Sequence, residues 1–174
     1  IDLEGRFNED QIPVEIFDGD ISILSGDEPP QVVELLVRGT AWDTSFLDHL
    51  ANLGLGTGGY QIPVGDASQL DTLPWSGVDQ VIARFSEPVN VQIDDLNLTG
   101  VLGPDGVEGG TDTYSAVDLV TETGPTGQFQ AVWTLAAPLG TDALQLVLDG
   151  DSPGAITDGT GNFLDADWGD AASV

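Results

Sequence analysis

Val78-Asp-Gln-Val-Ile-Ala-Arg-Phe85 and Phe129-Gln-Ala-Val-Trp-Thr-Leu135 are the two stretches whose reading decides the fold. In the second, Phe129, Ala131, Trp133 and Leu135 alternate with Gln130, Val132 and Thr134, which gives a period-two strand one clearly apolar face. The first is a β-strand ended by Ser86-Glu-Pro88, because proline has no N–H to give to a ladder.

Working outward, Val89 to Ile93 resumes an extended course and Asp94-Asp95-Leu96 reads as a tight turn. Asn97-Leu-Thr-Gly100 leads into a loop, and residues 113–121 are expected to form one strand joined to 129–135 by a polar turn. Leu144-Gln-Leu-Val-Leu148 alternates again before Asp149-Gly150-Asp151. Upstream, Val32-Val-Glu-Leu-Leu-Val37 is a short strand closed by Arg38-Gly39. Residues 43–53 are the one helical segment: Phe46, Leu47, Leu50 and Leu53 recur at three- and four-residue spacing, Asp43 can cap the start and Gly54 the end. Gly54 to Gly59 is a glycine-rich turn, and residues 60–64 form a short extended piece suited to an edge. Six to eight short strands with frequent Gly, Pro and Asp turns predict an all-β fold, an antiparallel two-sheet sandwich with one short helical insertion.

The first 30 residues stand apart. Val14 and Ile16, then Ile21 and Ile23, alternate around Asp18-Gly19-Asp20, the pattern of a hairpin, and Ser25 to Pro30 reads as a linker. The expected organisation is an arm over 1–30 and one sandwich domain over 31–174, with the helical insertion around 43–53. A lone hairpin is marginal in water, so the arm is expected to dock on something. No fixed-period repeat occurs within the chain.

Thirty Asp and Glu against Arg6, Arg38 and Arg84, with no lysine, give a net charge of −27. Nucleic acid is a poor partner, since phosphate binding needs clustered Lys and Arg, and an anionic membrane surface is disfavoured for the same reason. Self-repulsion calls for salt, divalent cations or a basic partner. With no cysteine there is no disulfide or thiolate chemistry. The absence of methionine points to a processed chain or an excised module, and no apolar run is long enough to span a membrane.

At Val78 to Val89, with its Phe-Ser-Glu-Pro-Val ending, and at Asp95-Leu-Asn-Leu-Thr-Gly100, the chain resembles bacterial immunoglobulin-like domains of large secreted modular and surface-layer proteins. Residues 131–135, 144–148 and Thr157-Asp-Gly-Thr-Gly-Asn-Phe-Leu-Asp165 look like their closing strands and aspartate-rich turn. Val37-Arg-Gly-Thr-Ala-Trp42, residues 46–50 and 54–64, and Leu73-Pro-Trp75 are similar to a version from multidomain proteins of planctomycete-type bacteria, where it often precedes a dockerin. The resemblance covers roughly residues 30–168 and contains no dockerin calcium repeat. It implies an Ig-like fold, a secreted, cell-surface setting, and no catalytic residues.

The candidate chemistry lies in the acidic C-terminal stretch. Asp149, Asp151, Asp158, Asn162, Asp165 and Asp167 are candidate ligands for Ca²⁺, which takes six to eight oxygens, with nearby glycines freeing backbone carbonyls to help. The spacing is not an EF-hand, and the competing reading is solvated turn residues capping their own backbone. Asp18 and Asp20 fit a hairpin turn, or a cation shared with Asp27 or Glu28. A glycosidase pair has no support, because thirty acids guarantee chance pairs. His49 is the only histidine and has no Gly-x-Ser-x-Gly partner, so it is expected to be a surface or half-buried helix residue. Trp133 is expected in the core and Trp42 and Trp75 to pack the helical insertion, while Trp168, beside the terminal aspartates, is the one to test for exposure; a sugar-stacking surface competes with buried packing, the usual fate of tryptophan in a small domain. Gly54 to Gly59 lacks the lysine of a phosphate loop and follows a helix instead of preceding one. The function expected is non-enzymatic: a structural or adhesive module whose arm adds a strand to other copies or to neighbouring modules. The alternative is a calcium-dependent or polysaccharide-binding module.

Overall fold

In a computed structural model of the chain, residues 14–17, 20–23, 28–63, 73, 75–100, 112–139 and 144–165 are described. Two predicted strands lie side by side at its centre: β5 (Gln80–Phe85) and β10 (Phe129–Leu135) are antiparallel, with Phe129 opposite Phe85 and Trp133 opposite Val81. β3 (Val32–Arg38) flanks β5, β9 (Ala116–Thr123) flanks β10, and the two-residue β4 (Tyr60–Gln61) completes a five-stranded sheet of order β4-β3-β5-β10-β9.

A second, three-stranded sheet, β11-β7-β8, is built from β7 (Leu96–Gly100), β8 (Asp112–Thr113) and β11 (Leu144–Leu148). Alternation makes these two sheets face each other. Leu35, Val81, Ala83, Phe85, Ala131 and Trp133 of the large sheet form one buried cluster with Leu96 and Leu98 of the small one, and Leu144, Leu146 and Leu148 pack against it. Short strands β6 (Val89–Asn90) and β12 (Thr157–Asp158) pair at the side and bring Ile156 and Leu164 into the same core. The arrangement is a mostly β, antiparallel, sandwich-like one. The predicted hairpin is present as β1 (Val14–Phe17) and β2 (Asp20–Ile23), paired among the described residues only with each other.

Several expectations are corrected. Residues 113–121 are not one strand: the chain leaves the small sheet after Thr113 and joins the large one at Ala116, so the segment serves both layers. β10 has the expected apolar face, and its other face is covered too, with Gln130 and Val132 also buried. The far face of the large sheet is covered by the glycine turn. Gly59 packs so closely that a Cβ would stand 2.9 Å from the Val37 carbonyl and 3.3 Å from the Leu36 side chain. Within that turn Gly56 sits at φ +122°, which L side chains rarely adopt. Helix α1 (Thr44–Asn52) is capped by Asp43, whose carboxylate accepts from the Phe46 N–H at 2.8 Å. It ends with Gly54 at φ +71°. Of its expected apolar stripe only Leu50 is buried; Leu53 is 57% exposed, because it lies beyond the last turn as the C-cap.

The covered face carries an ordered cross-strand pattern. A row of Leu36, Ile82 and Val132 forms a small apolar cluster. On one side of it Arg38 Nε donates to Gln80 Oε1 at 2.7 Å, and Gln80 Nε2 donates to Thr134 Oγ1 at 2.9 Å. On the other side run Glu34, Arg84, Gln130 and Glu122. Arg84 is wholly buried; it pairs with Glu34, donates to Gln130 Oε1 at 3.1 Å and to the Thr57 carbonyl at 2.5 Å. Gln130 passes the chain on to Glu122 at 2.9 Å. A buried charge demands such saturation, and its bond to Thr57 ties the glycine turn onto the sheet.

Candidate functional site

The acidic C-terminal residues fall into three separate places. The first is the turn after β11. Asp149 accepts from the backbone N–H of Ser152 at 3.1 Å and of Asp151 at 3.3 Å, and from the Ser152 hydroxyl. The hydroxyl and those N–H groups hold its carboxyl below the usual range.

The second is the loop after β12. Asp158, 2% exposed, accepts from the backbone N–H groups of Thr160, Gly161 and Asn162 at 2.9, 2.7 and 2.8 Å. The Thr160 hydroxyl at 3.0 Å and the Asn162 amide at 2.9 Å complete the set. Burial alone would raise its pKa, but the bonds from Asn162 and Thr160 outweigh it and bring the value down to about 2. Asn162 therefore faces Asp158 as a donor, and the aspartate organises the loop as a cap organises a helix. The third place is Asp165, whose Oδ2 accepts from Gln31 Nε2 at 3.2 Å. Asp167 and Trp168 lie outside the described residues, as do Asp18 and Asp27.

Asp94 and Asp95 sit on a single 3-10 turn, Ile93–Asp95, as the sequence predicts for a tight turn. Asp95 is 5% exposed and accepts from the Gln92 N–H at 2.7 Å. Burial pushes its carboxyl up, and the charges of Asp149 and Asp94 push the same way against that hydrogen bond. Its backbone carbonyl accepts from Asp149 N at 2.9 Å, so the turn and the acidic loop meet. Together Asp94, Asp95, Asn97, Asp149 and Asp151 line a recess of about 250 Å³ with Val147 and Leu148. Among the described residues, however, no three of His, Cys, Asp or Glu are grouped closely enough to hold a metal ion. Sequence reading treated the two acidic stretches separately. The signal that joins them is register: β7 and β11 are antiparallel neighbours, with Leu96 opposite Leu148, so the residues flanking that pair must meet.

A second recess, of about 440 Å³, lies at the start of the helix between Ala41, Trp42, Asp43, Phe46, Trp75 and Ser76. Phe46 stands edge-on to Trp42 and to Trp75, each with ring centroids 4.9 Å apart, and Tyr60 meets Trp75 at 6.1 Å. Trp42 Nε1 donates to the Ser76 carbonyl at 3.1 Å. The two tryptophans thus pack the helical insertion as expected while remaining partly exposed. Trp133 is fully buried and His49 is exposed on the helix. No helix among the described residues is long and apolar enough to cross a membrane.

Comparison of the chain with protein-family models, with curated proteins and with solved structures returns no match.

Proposed function

We propose that this chain is a non-enzymatic structural module of an extracellular bacterial surface protein or fibre, an Ig-like sandwich that joins other copies of itself by strand addition. The arm of one copy, β1 and β2, lies along β9 of the next. The observation that carries the reading is the free edge of the large sheet. β9 has eight residues, pairs among the described residues only with β10, and exposes Val117 by 62% and Val120 by 46%. It carries no proline or lysine, the usual guards of an edge. The hairpin, for its part, forms ladder pairs only with itself among the described residues. Main-chain hydrogen bonds then supply affinity and alternate side chains supply register.

The working carboxylates fit a structural role: Asp149 and Asp158 are spent on their own turns. Light scattering on the eluting species tests the proposal. Removing residues 1–28 abolishes assembly while circular dichroism stays that of a β protein; assembly unchanged by the deletion rejects it. Both surfaces are acidic, so assembly strengthens from low to physiological salt as the screening length shrinks to about 8 Å.

A second reading, a calcium-dependent or polysaccharide-binding module, draws on the two recesses: carboxylates in one, partly exposed indoles in the other. Calorimetric titration with Ca²⁺ against Mg²⁺, and tryptophan fluorescence against a panel of polysaccharides, separate it from the first.

A further inference from the structure

The two ends of the sandwich body are fastened to each other. Asp165 N–H donates to the Pro30 carbonyl at 2.8 Å, Gln31 Nε2 reaches the Asp165 carboxylate, and Gln31 and Asp165 form a parallel bridge. Pro30 is buried, and Gln31 is held from its other side by Ser86. Its N–H donates to Ser86 Oγ at 3.0 Å and its carbonyl accepts from Ser86 N at 2.9 Å. Leu164, 6% exposed, anchors the closing segment in the core and donates to the Ile156 carbonyl at 3.0 Å.

The parallel sense of the bridge decides how this closure responds to tension. Two strands that run the same way have their upstream and downstream continuations pointing in opposite directions. A pull between the chain before Pro30 and the chain after Asp165 therefore slides the two segments past each other along their axes. The bonds across the bridge and the burial of Pro30 and Leu164 are loaded together. An antiparallel pair pulled from adjacent ends opens one bond at a time instead, and this molecule contains that geometry too, where Ala136 N–H meets the Ser115 carbonyl at the mouth of β9 and β10.

We infer that the Pro30–Gln31–Asp165 closure is a shear-loaded mechanical clamp, which makes the sandwich body a tension-bearing link between what is joined to its two sides. The inference goes beyond strand addition and holds whether or not the arm binds a second copy.

Single-molecule pulling tests it, because unfolding under force reports an unfolding rate and depends on pulling direction. The full chain is pulled either through its two ends or through cysteines placed at Ser115 and Ala136, which the cysteine-free sequence allows without interference. The expected result is a higher unfolding force through the ends than through the β9–β10 mouth. Asp165→Pro removes the backbone donor and Gln31→Ala the side-chain donor. Each is expected to lower the end-pulled force toward the mouth-pulled value while leaving the latter unchanged. Equal forces in the two directions overturn the inference. So does a substitution that lowers both forces in proportion, the mark of general destabilisation rather than a clamp.

Discussion

Arg84 offers the sharpest test of how the two covered faces of the large sheet are held. Its guanidinium is 1% exposed at the side chain, and its partner Glu34 is 16% exposed. Replacing Arg84 by Met keeps most of the volume but strands a carboxylate, the Thr57 carbonyl and Gln130 Oε1 without their donor. Removing one member of a buried pair costs about 3–5 kcal/mol, and Glu34 keeps some contact with water, so we expect about 3 kcal/mol. That is a large share of the 5–15 kcal/mol typical of a whole domain. Removing both charges, as Arg84→Met with Glu34→Leu, leaves no unpaired ion, and the double variant is expected within about 1–2 kcal/mol of the parent. Urea unfolding followed by tryptophan fluorescence measures both, as a shift in midpoint at constant slope. A cost below about 1 kcal/mol for Arg84→Met, or a double variant as unstable as the sum of its singles, refutes the reasoning.

Three further outcomes follow from particular side chains. Asp158 has a folded pKa of about 2 against an ordinary aspartate value near 3.9, so its contribution to stability is complete above about pH 4 and is lost as pH falls toward 2. Acid titration of Asp158→Asn should lack that part of the transition. Asp95 is raised instead, so its charge weakens the fold at neutral pH. Asp95→Asn should raise the urea midpoint at pH 7, and the advantage should vanish once the parent residue is protonated. Leu50→Ala should cost about 2–5 kcal/mol as a buried truncation, while Leu53→Ala should stay within about 0.5 kcal/mol, a contrast visible in parallel thermal melts.

The period-two pattern made the strands legible because one face of each had to be apolar. Trp133 and its neighbours pointed inward, and Asp43 and Gly54 marked the helix ends as their side-chain and backbone chemistry requires. What the pattern did not reveal was the cover on the opposite face. Arg84 in the middle of an otherwise apolar strand was the available sign, in a chain with only three cations: a guanidinium there needs a carboxylate, a neighbouring amide and a loop to satisfy it. The glycine turn, which on sequence alone is a connector, is the piece that supplies the loop carbonyl. The break at Tyr114 and Ser115 was hidden for a different reason, since a strand that changes sheets keeps its extended backbone composition through the crossing. The acidic candidates were legible as turn formers, but their division into three places depends on long-range pairing. Asp165 lies 134 residues from Gln31, and no local pattern encodes that contact.

Strand addition is tested most directly by mixing two singly substituted chains, one with Ser22→Cys in β2 and one with Val117→Cys in β9, in the presence of a short bismaleimide. The parent has no cysteine, so every bridge reports one contact. The account predicts a covalent species of twice the chain mass that joins one chain of each kind and grows with salt. Absence of that species, with both singly substituted chains remaining at single-chain mass, contradicts it.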